Sequence, residues 1–175
     1  MYLKVELPWT IEVPPRSLDK EGVKFQTEIV RCLMKEFAAK RATKDLGYFL
    51  AVTTLDSIGD GKVRPDTGDV TFPISFSCIT FKLFTGEIID AVVYKVMKHG
   101  ICLRCGPVEN VFLSAKKMPG YRYIPREDDP VFLNYEKPHS RIRKDVTIRC
   151  VVIGTRWIEG EREFCVVVDL LDENI

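Results

Sequence analysis

Two cysteines, Cys102 and Cys105, have the C-x-x-C spacing that could hold a metal ion or carry redox chemistry. A structural zinc site needs a second such pair or histidines at ligand spacing, and the chain has only His99 and His139. Within one strand, a three-residue spacing also places the two sulfurs on opposite faces. We therefore expect no metal site and no cofactor, and we expect the six cysteines to be free thiols that are mostly buried.

A second set of side chains could bind single-stranded RNA. OB-type barrels use flat side chains that stack on bases and basic side chains that follow the phosphates. The candidates are Lys98, His99, Arg104, Phe112, Lys116 and Lys117. Each has an ordinary alternative: Phe112 fits a core position equally well, His99 can be a plain exposed residue beside a turn, and the two lysines can be a solvated turn.

Catalytic chemistry has little support in the sequence. Neither a G-x-S-x-G nucleophile motif nor an H-E-x-x-H zinc motif occurs, and acidic pairs such as Asp128-Asp129 fall in predicted loops. The glycine-rich turn from Asp56 to Gly68 lacks the Gly-Lys-Ser/Thr ending of a P-loop. We therefore expect a protein without an active site of its own.

The charge balance limits how nucleic acid could be bound. Twenty-six basic residues against twenty-five acidic ones leave a net charge of +1 in a chain of 175 residues. Any RNA contact must therefore come from a local patch rather than from the field of the whole protein. The sequence has no apolar run of membrane-spanning length and no signal-peptide pattern at its start, so we expect a reducing compartment, the cytosol or the nucleus.

Five predicted strands position the RNA-binding candidates. They cover residues 86–98, 101–105, 108–113, 144–155 and 163–171. Gly100 and Gly106-Pro107 mark the first two turns, and short strands at this spacing predict a small closed OB-fold barrel. A proline-rich, irregular insertion is expected at 121–140.

The upstream part is predicted to be an antiparallel sheet with one helix, which makes the chain an α+β protein. Strands are expected at 1–7, where Pro8 ends the first, at 49–55 and at 69–84. The third strand should turn one face inward with Phe72, Ile74, Phe76, Cys78 and Thr80. A helix is expected from about 21 to 41, packing with Val23, Thr27, Val30, Leu33, Met34 and Phe37. We place an N-terminal tip domain at 1–82 and the barrel domain at 83–175.

The barrel segment resembles the OB-fold RNA-binding family typified by the ribosomal S-one protein. The similarity lies in Gly86, Gly100 and Ser114 and the apolar pattern between them. It implies that His99, Cys102 and Phe112 stand at RNA-facing positions. Cys102 replaces the usual phenylalanine, which weakens the stacking surface.

A wider resemblance covers nearly the whole chain. The segments Thr53-Thr54, Ile58-Gly59, Gly86-Glu87 and Gly106-Pro107, in this order, are similar to the seventh subunit of eukaryotic RNA polymerase II and its archaeal equivalent. Further matches are Asp56, Gly61, Pro73, Phe84, 91–93, Ser114 and 153–156. Details such as 7–9, 109–111 and 123–125 look closer to the plant paralogue that serves RNA polymerases IV and V in RNA-directed DNA methylation and gene silencing.

The resemblance implies a non-catalytic subunit that acts in the nucleus. It would form a stalk heterodimer with the fourth subunit of the polymerase near the RNA exit path, with the barrel meeting nascent RNA or regulators. Its tip would dock on the largest subunit and the polymerase core through Pro14, Pro15, Arg16, Ile58, Gly59, Gly61, Lys62, Val63 and Arg64. The alternative is a free-standing OB-fold protein that binds single-stranded RNA.

Overall fold

The computed structural model describes residues 1–18 and 25–171. The chain divides into two compact units, one of Tyr2–Lys82 and one that starts at Leu83 and also includes Met1.

The first unit is an antiparallel sheet covered on one face by a helix, as predicted. Its elements are β1 (Tyr2–Val13), α1 (Phe25–Lys40), β2 (Ala42–Thr43), β3 (Gly47–Ile58), β4 (Lys62–Val63) and β5 (Val70–Phe81), with a 3-10 turn at Pro15–Ser17. The strands lie in the order β1-β5-β3-β2, and β4 also pairs with β5. Trp9 is partly buried, packs against the core and contacts three phenylalanines, with ring centroids 4.8 Å from Phe76 and 6.2 Å from both Phe37 and Phe49.

Strand β1 continues through Pro8, so the prediction that Pro8 ends it is wrong. The strand keeps its register with β5 as far as Val13, and Pro8 lies opposite Ser75. β1 pairs only with β5 and is therefore an edge strand of this sheet. An edge strand tolerates proline because its outer backbone edge needs no hydrogen-bond donor.

Strand β3 departs from ordinary alternation. Its pairing with β5 shifts register three times, between 49 and 51, 52 and 54, and 55 and 57. Each β-bulge adds one residue, so side chains reach the core every third position instead of every second. Phe49, Val52, Leu55 and Ile58 accordingly pack on the core, whereas the residues between them are exposed.

Helix α1 packs with a narrower face than predicted. Ile29, Leu33 and Phe37, spaced four apart, are buried against the sheet. Leu33 and Phe37 confirm part of the predicted stripe, but Thr27 is exposed, and Val30 and Met34 are 42% and 48% exposed. The predicted helix start at 21 and the stripe residue at 23 lie outside the described residues.

The second unit contains a closed barrel, which confirms the predicted architecture. Its strands are β6 (Ile88–Met97), β7 (Gly100–Cys105), β8 (Val108–Ser114), β9 (Tyr121–Ile124), β10 (Val131–Asn134), β11 (Arg141–Ile142), β12 (Thr147–Ile158) and β13 (Glu163–Leu170). The barrel order is β12-β13-β8-β7-β6. All its pairs are antiparallel except β13 with β8, which gives the connectivity of an OB fold.

The insertion between β8 and β12 is more regular than predicted. β9, β10 and β11 form a three-stranded antiparallel sheet. Val131, Phe132 and Ile142 are buried in it, and Tyr123 packs on Phe132 with ring centroids 5.5 Å apart. The prolines that suggest an irregular loop in the sequence lie at 125, 130 and 138, outside these strands.

Within the described ranges, none of the helices has the length and apolar character needed to cross a lipid bilayer.

Candidate functional site

The outer face of β7 and β8 brings two of the predicted RNA-binding side chains together. Phe112 alternates with the buried residues Val111 and Leu113, so its half-buried ring lies on the outside of the barrel. The ring of His99, in the turn before β7, lies 6.3 Å from the Phe112 ring, centroid to centroid, with 36° between their planes. The two rings form a partly exposed, tilted aromatic pair.

Gly100 allows this arrangement. The ring of Phe112 lies over the position where a side chain of Gly100 would begin. A Cβ placed there would also lie 2.6 Å from the backbone oxygen of Leu113, on the neighbouring strand. A glycine therefore permits the close pairing of β7 with β8 and the placement of the aromatic pair.

Tyr94 belongs to the same outer face but is absent from the sequence prediction. A bulge between Val93 and Lys95 turns both Tyr94 and Lys95 outward, and Tyr94 is 41% exposed. Burial, together with charge and hydrogen-bond interactions with Cys102, raises the pKa of the Tyr94 hydroxyl. The alternation of Ala91 and Val93 in the sequence is a signal that could have placed Tyr94 outside.

The predicted basic residues divide into two groups. Lys98 and Lys116 are exposed, and their segments meet where the Ala115 N–H donates to the His99 carbonyl at 3.0 Å, close to the aromatic pair. Lys117 lies in the same turn, but its Nζ forms an ion pair with Asp169 at 3.2 Å. Arg104 is exposed and lies four residues after Gly100 in β7. The Cα atoms of the two residues are therefore about 13 Å apart at the usual rise of a strand.

The cysteines show no metal-binding arrangement. All six are free thiols, and no group of three His, Cys, Asp or Glu side chains that could hold a metal occurs in the described part of the chain. Cys102 and Cys105 are half-buried, and the register of β7 shifts between 103 and 105. Burial, with nearby acidic groups, raises the pKa of the Cys150 thiol to about 12, so this sulfur remains a neutral core side chain.

The predicted docking residues gather at one end of the first sheet. Val13, at the end of β1, and Val63, in β4, are both Cα partners of Val70. This register places the segment 14–16 next to the turn 58–64, and a Cβ on Gly68 would lie 3.7 Å from the ring of Pro15. We call this end of the sheet, residues 14–16 and 58–64, the tip.

Two glycines fix the backbone of the tip against β5. The Gly59 N–H donates to the Pro73 carbonyl at 2.7 Å, and a Cβ on Gly59 would lie 2.6 Å from the Pro73 ring. A Cβ on Gly61 would lie 2.6 Å from the Phe72 ring. Side chains at either position would push the turn away from the sheet.

The side chains of the tip differ in exposure and charge pairing. Val63 is 66% exposed, whereas Ile58 is half-buried and packs on the core opposite Ile74. Arg64 forms ion pairs with Glu12 at 3.0 Å and Asp66 at 3.8 Å. Arg16, Lys62 and the two glycines are exposed, so the tip offers an apolar point surrounded by charges of both signs.

Comparison with known proteins gives a consistent result for both units. Residues 8–68 match the family described as the SHS2 domain found in the N terminus of Rpb7p/Rpc25p/MJ0397. These residues span most of the first unit, including the tip.

Full-length relatives extend the match to the barrel. The DNA-directed RNA polymerase V subunit 7 of Arabidopsis thaliana is 54% identical over 97% of this chain and 94% of that protein. The RNA polymerase IV subunit 7 of the same plant is 42% identical over 100% and 98% of the two chains. Its RNA polymerase II subunit 7 is 33% identical over 95% and 90%.

Proposed function

The chain belongs to the subunit 7 family of DNA-directed RNA polymerases, and from this we propose that it is a non-catalytic stalk subunit that pairs with the fourth subunit. The observation that carries the proposal is the match over nearly the full length of relatives named as polymerase subunits. The stalk would stand beside the RNA exit path, with the tip docked on the largest subunit and the core. Its place of action would be the nucleus.

The second part of the proposal concerns which polymerase the subunit belongs to. The relatives named after polymerases V and IV share more residues with this chain than the relative named after polymerase II. We therefore assign the chain to a polymerase IV or V, and through it to RNA-directed DNA methylation and gene silencing.

The first test is whether the protein pairs with a fourth subunit. Size-exclusion chromatography with light scattering should give a one-to-one complex when the two proteins are mixed, because the proposed stalk is a heterodimer of the two subunits. Fourth subunits of polymerases II, IV and V should be compared in parallel. A protein that stays monomeric with each of the three fourth subunits would contradict the stalk assignment.

The outer face of the barrel is the surface that we propose for nascent RNA. It combines the His99–Phe112 aromatic pair and Tyr94 with exposed Lys98 and Lys116. Aromatic side chains stack on bases without regard to sequence, and lysines add contacts to phosphates. Because Lys117 is paired with Asp169, few free positive charges remain, and the affinity should be weak.

Replacing Lys98 and Arg104 by alanine is expected to lower RNA affinity and the dependence of binding on salt. Each lost phosphate contact reduces the slope of log affinity against log salt by about 0.7 on a single strand. Fluorescence anisotropy with a labelled oligouridylate across a salt series measures both effects. The matched control is Lys35→Ala with Arg16→Ala, two exposed cations of the first unit. An equal slope for the two double variants would show that another surface binds the RNA.

A free-standing RNA-binding protein remains the second candidate, and the aromatic pair on an OB barrel is the observation that favours it. The net charge of +1 argues against it, because a protein that binds RNA alone needs a more basic surface. The chromatography experiment separates the two candidates: only the stalk subunit forms the one-to-one complex.

A further inference from the structure

A groove of about 430 Å³ lies between the three-stranded insertion and the barrel, apart from the β7–β8 face. Its walls come from the loop after β10, from β11, and from β12 and the end of β13. Three cationic residues, Lys137, Arg141 and Arg149, line it together with His139. Among the described residues, the lining contains no aspartate or glutamate.

The described lining of the groove carries positive charge, although the chain as a whole is nearly balanced. The whole protein carries twenty-five acidic residues, and several of them form ion pairs with arginine or lysine. Arg149 is held by Asp90 in a two-point ion pair, at 2.9 Å and 3.3 Å, on the barrel surface. Lys137 and Arg141 have no carboxylate within 4.0 Å among the described residues. Within the part of the chain that the structure describes, these two side chains bring positive charge to the groove without a carboxylate partner.

The loop that carries Lys137 and His139 is held in place by its own hydrogen bonds. Asn134, which is buried, accepts the backbone N–H groups of Glu136 at 2.9 Å and Lys137 at 3.1 Å. Tyr121 and Ser140 share a side-chain hydrogen bond, and the Tyr135 N–H donates to the Gly120 carbonyl at 3.1 Å. Because this wall is already ordered, the loop loses less conformational entropy when a ligand binds.

The floor of the groove has a different character from its rim. Ile142 and Ile148 are buried, Leu170 is half-buried, and the half-buried Tyr121 lies in one wall. An apolar floor under a cationic rim suits a ligand that has flat, weakly polar rings joined by phosphodiesters. Arginine also binds phosphate through a planar pair of donors, which lysine cannot do.

We propose that this groove binds the phosphate backbone of single-stranded RNA, as a site separate from the aromatic face of the barrel. Lys137 and Arg141 contact phosphates directly, Arg149 is positioned at the far wall by Asp90, and Tyr121 packs on a sugar or base. The proposal rests on the proposed function only for the choice of RNA as the ligand. An acidic peptide segment would use the same cations, and the test includes it.

The experiment compares two neutralised pairs in the full chain. Lys137→Gln with Arg141→Gln removes two groove cations, whereas Arg126→Gln with Lys144→Gln removes one arginine and one lysine from the same insertion, outside the groove lining. Binding of a labelled oligouridylate is followed by anisotropy across a salt series. We expect the groove pair to reduce the slope by about 1.4, two contacts at about 0.7 each, and the control pair to leave it unchanged.

The proposal would be overturned by an unchanged slope for the groove pair, by an equal fall in slope for both pairs, or by a polyglutamate peptide that displaces the labelled RNA as well as unlabelled RNA does. Displacement by inorganic phosphate at matched ionic strength would assign the groove to a free anion rather than to a strand. Circular dichroism of all variants checks that they remain folded. The Lys98→Ala/Arg104→Ala variant and the complex with the fourth subunit are measured separately. A negative result for RNA binding at the groove therefore does not count against the stalk function.

Discussion

Replacing Val63 by aspartate is expected to abolish association with the polymerase core while the isolated protein stays folded. Val63 is 66% exposed and lies in the short strand β4 at the tip, so its side chain contributes little to the folded unit. In a docked tip the same side chain would be buried, and a carboxylate there would lose its water without gaining a partner. A loss of at least 2 kcal/mol, typical of an interface hot spot, lowers affinity about thirtyfold or more.

The choice of Val63 alone follows from the structure. The sequence places Ile58 and Val63 together at the tip, and both would be natural targets for an aspartate. Ile58, however, is half-buried, lies opposite the buried Ile74 and packs on the core of the first unit. An aspartate at 58 would destabilise the sheet, and a lost pull-down would then have two explanations.

A matched control is available in the barrel unit. Ile88 is 62% exposed in β6, so Ile88→Asp makes the same kind of change at nearly the same exposure. Co-purification with the polymerase core is the measurement, and thermal unfolding by circular dichroism is the folding check. Retention of the core by Val63→Asp would place the docking surface outside the tip.

The parts of the fold that the sequence predicts well depend on local signals. Gly100 and Gly106-Pro107 end strands through their backbone properties alone, and the barrel strands around them are confirmed. The inward face of β5 is confirmed from Phe72 to Thr80, because β5 is a regular strand and its alternation survives folding. The aromatic pair could be predicted because His99 lies in the turn before β7 and Phe112 lies on β8, the neighbouring strand of the same hairpin.

The parts that the sequence does not predict depend on pairing between distant segments. The three-residue period of β3 comes from bulges against β5, which no pattern within 47–58 specifies. Pro8 suggests the end of a strand because the sequence alone does not show that β1 is an edge strand. The outward position of Lys95 depends on the bulge in β6, and the cationic groove depends on the insertion folding back beside β12 and β13.

Replacing Gly100 by alanine is expected to destabilise the barrel and to reduce RNA binding at its outer face. The new Cβ would lie 2.6 Å from the Leu113 backbone oxygen, which can move only if β7 and β8 separate. It would also displace the Phe112 ring and so disturb the aromatic pair with His99. A loss of about 1–3 kcal/mol in unfolding free energy is typical when extra volume is forced into a packed site.

Gly154→Ala provides the matched control for this prediction, since it makes the same chemical change in another strand of the same barrel. Apart from Gly154 itself and its two chain neighbours, no described residue has a heavy atom within 4 Å of a Cβ built on Gly154. Its stability should therefore stay within about 0.5 kcal/mol of the parent protein, as is usual for an open surface position. Urea unfolding measures the unfolding free energy of both variants, and fluorescence anisotropy measures RNA binding at the outer face of the barrel. Equal stabilities for the two variants would mean that the β7–β8 pair adjusts to a methyl group at 100, and that Gly100 is not required for the placement of Phe112.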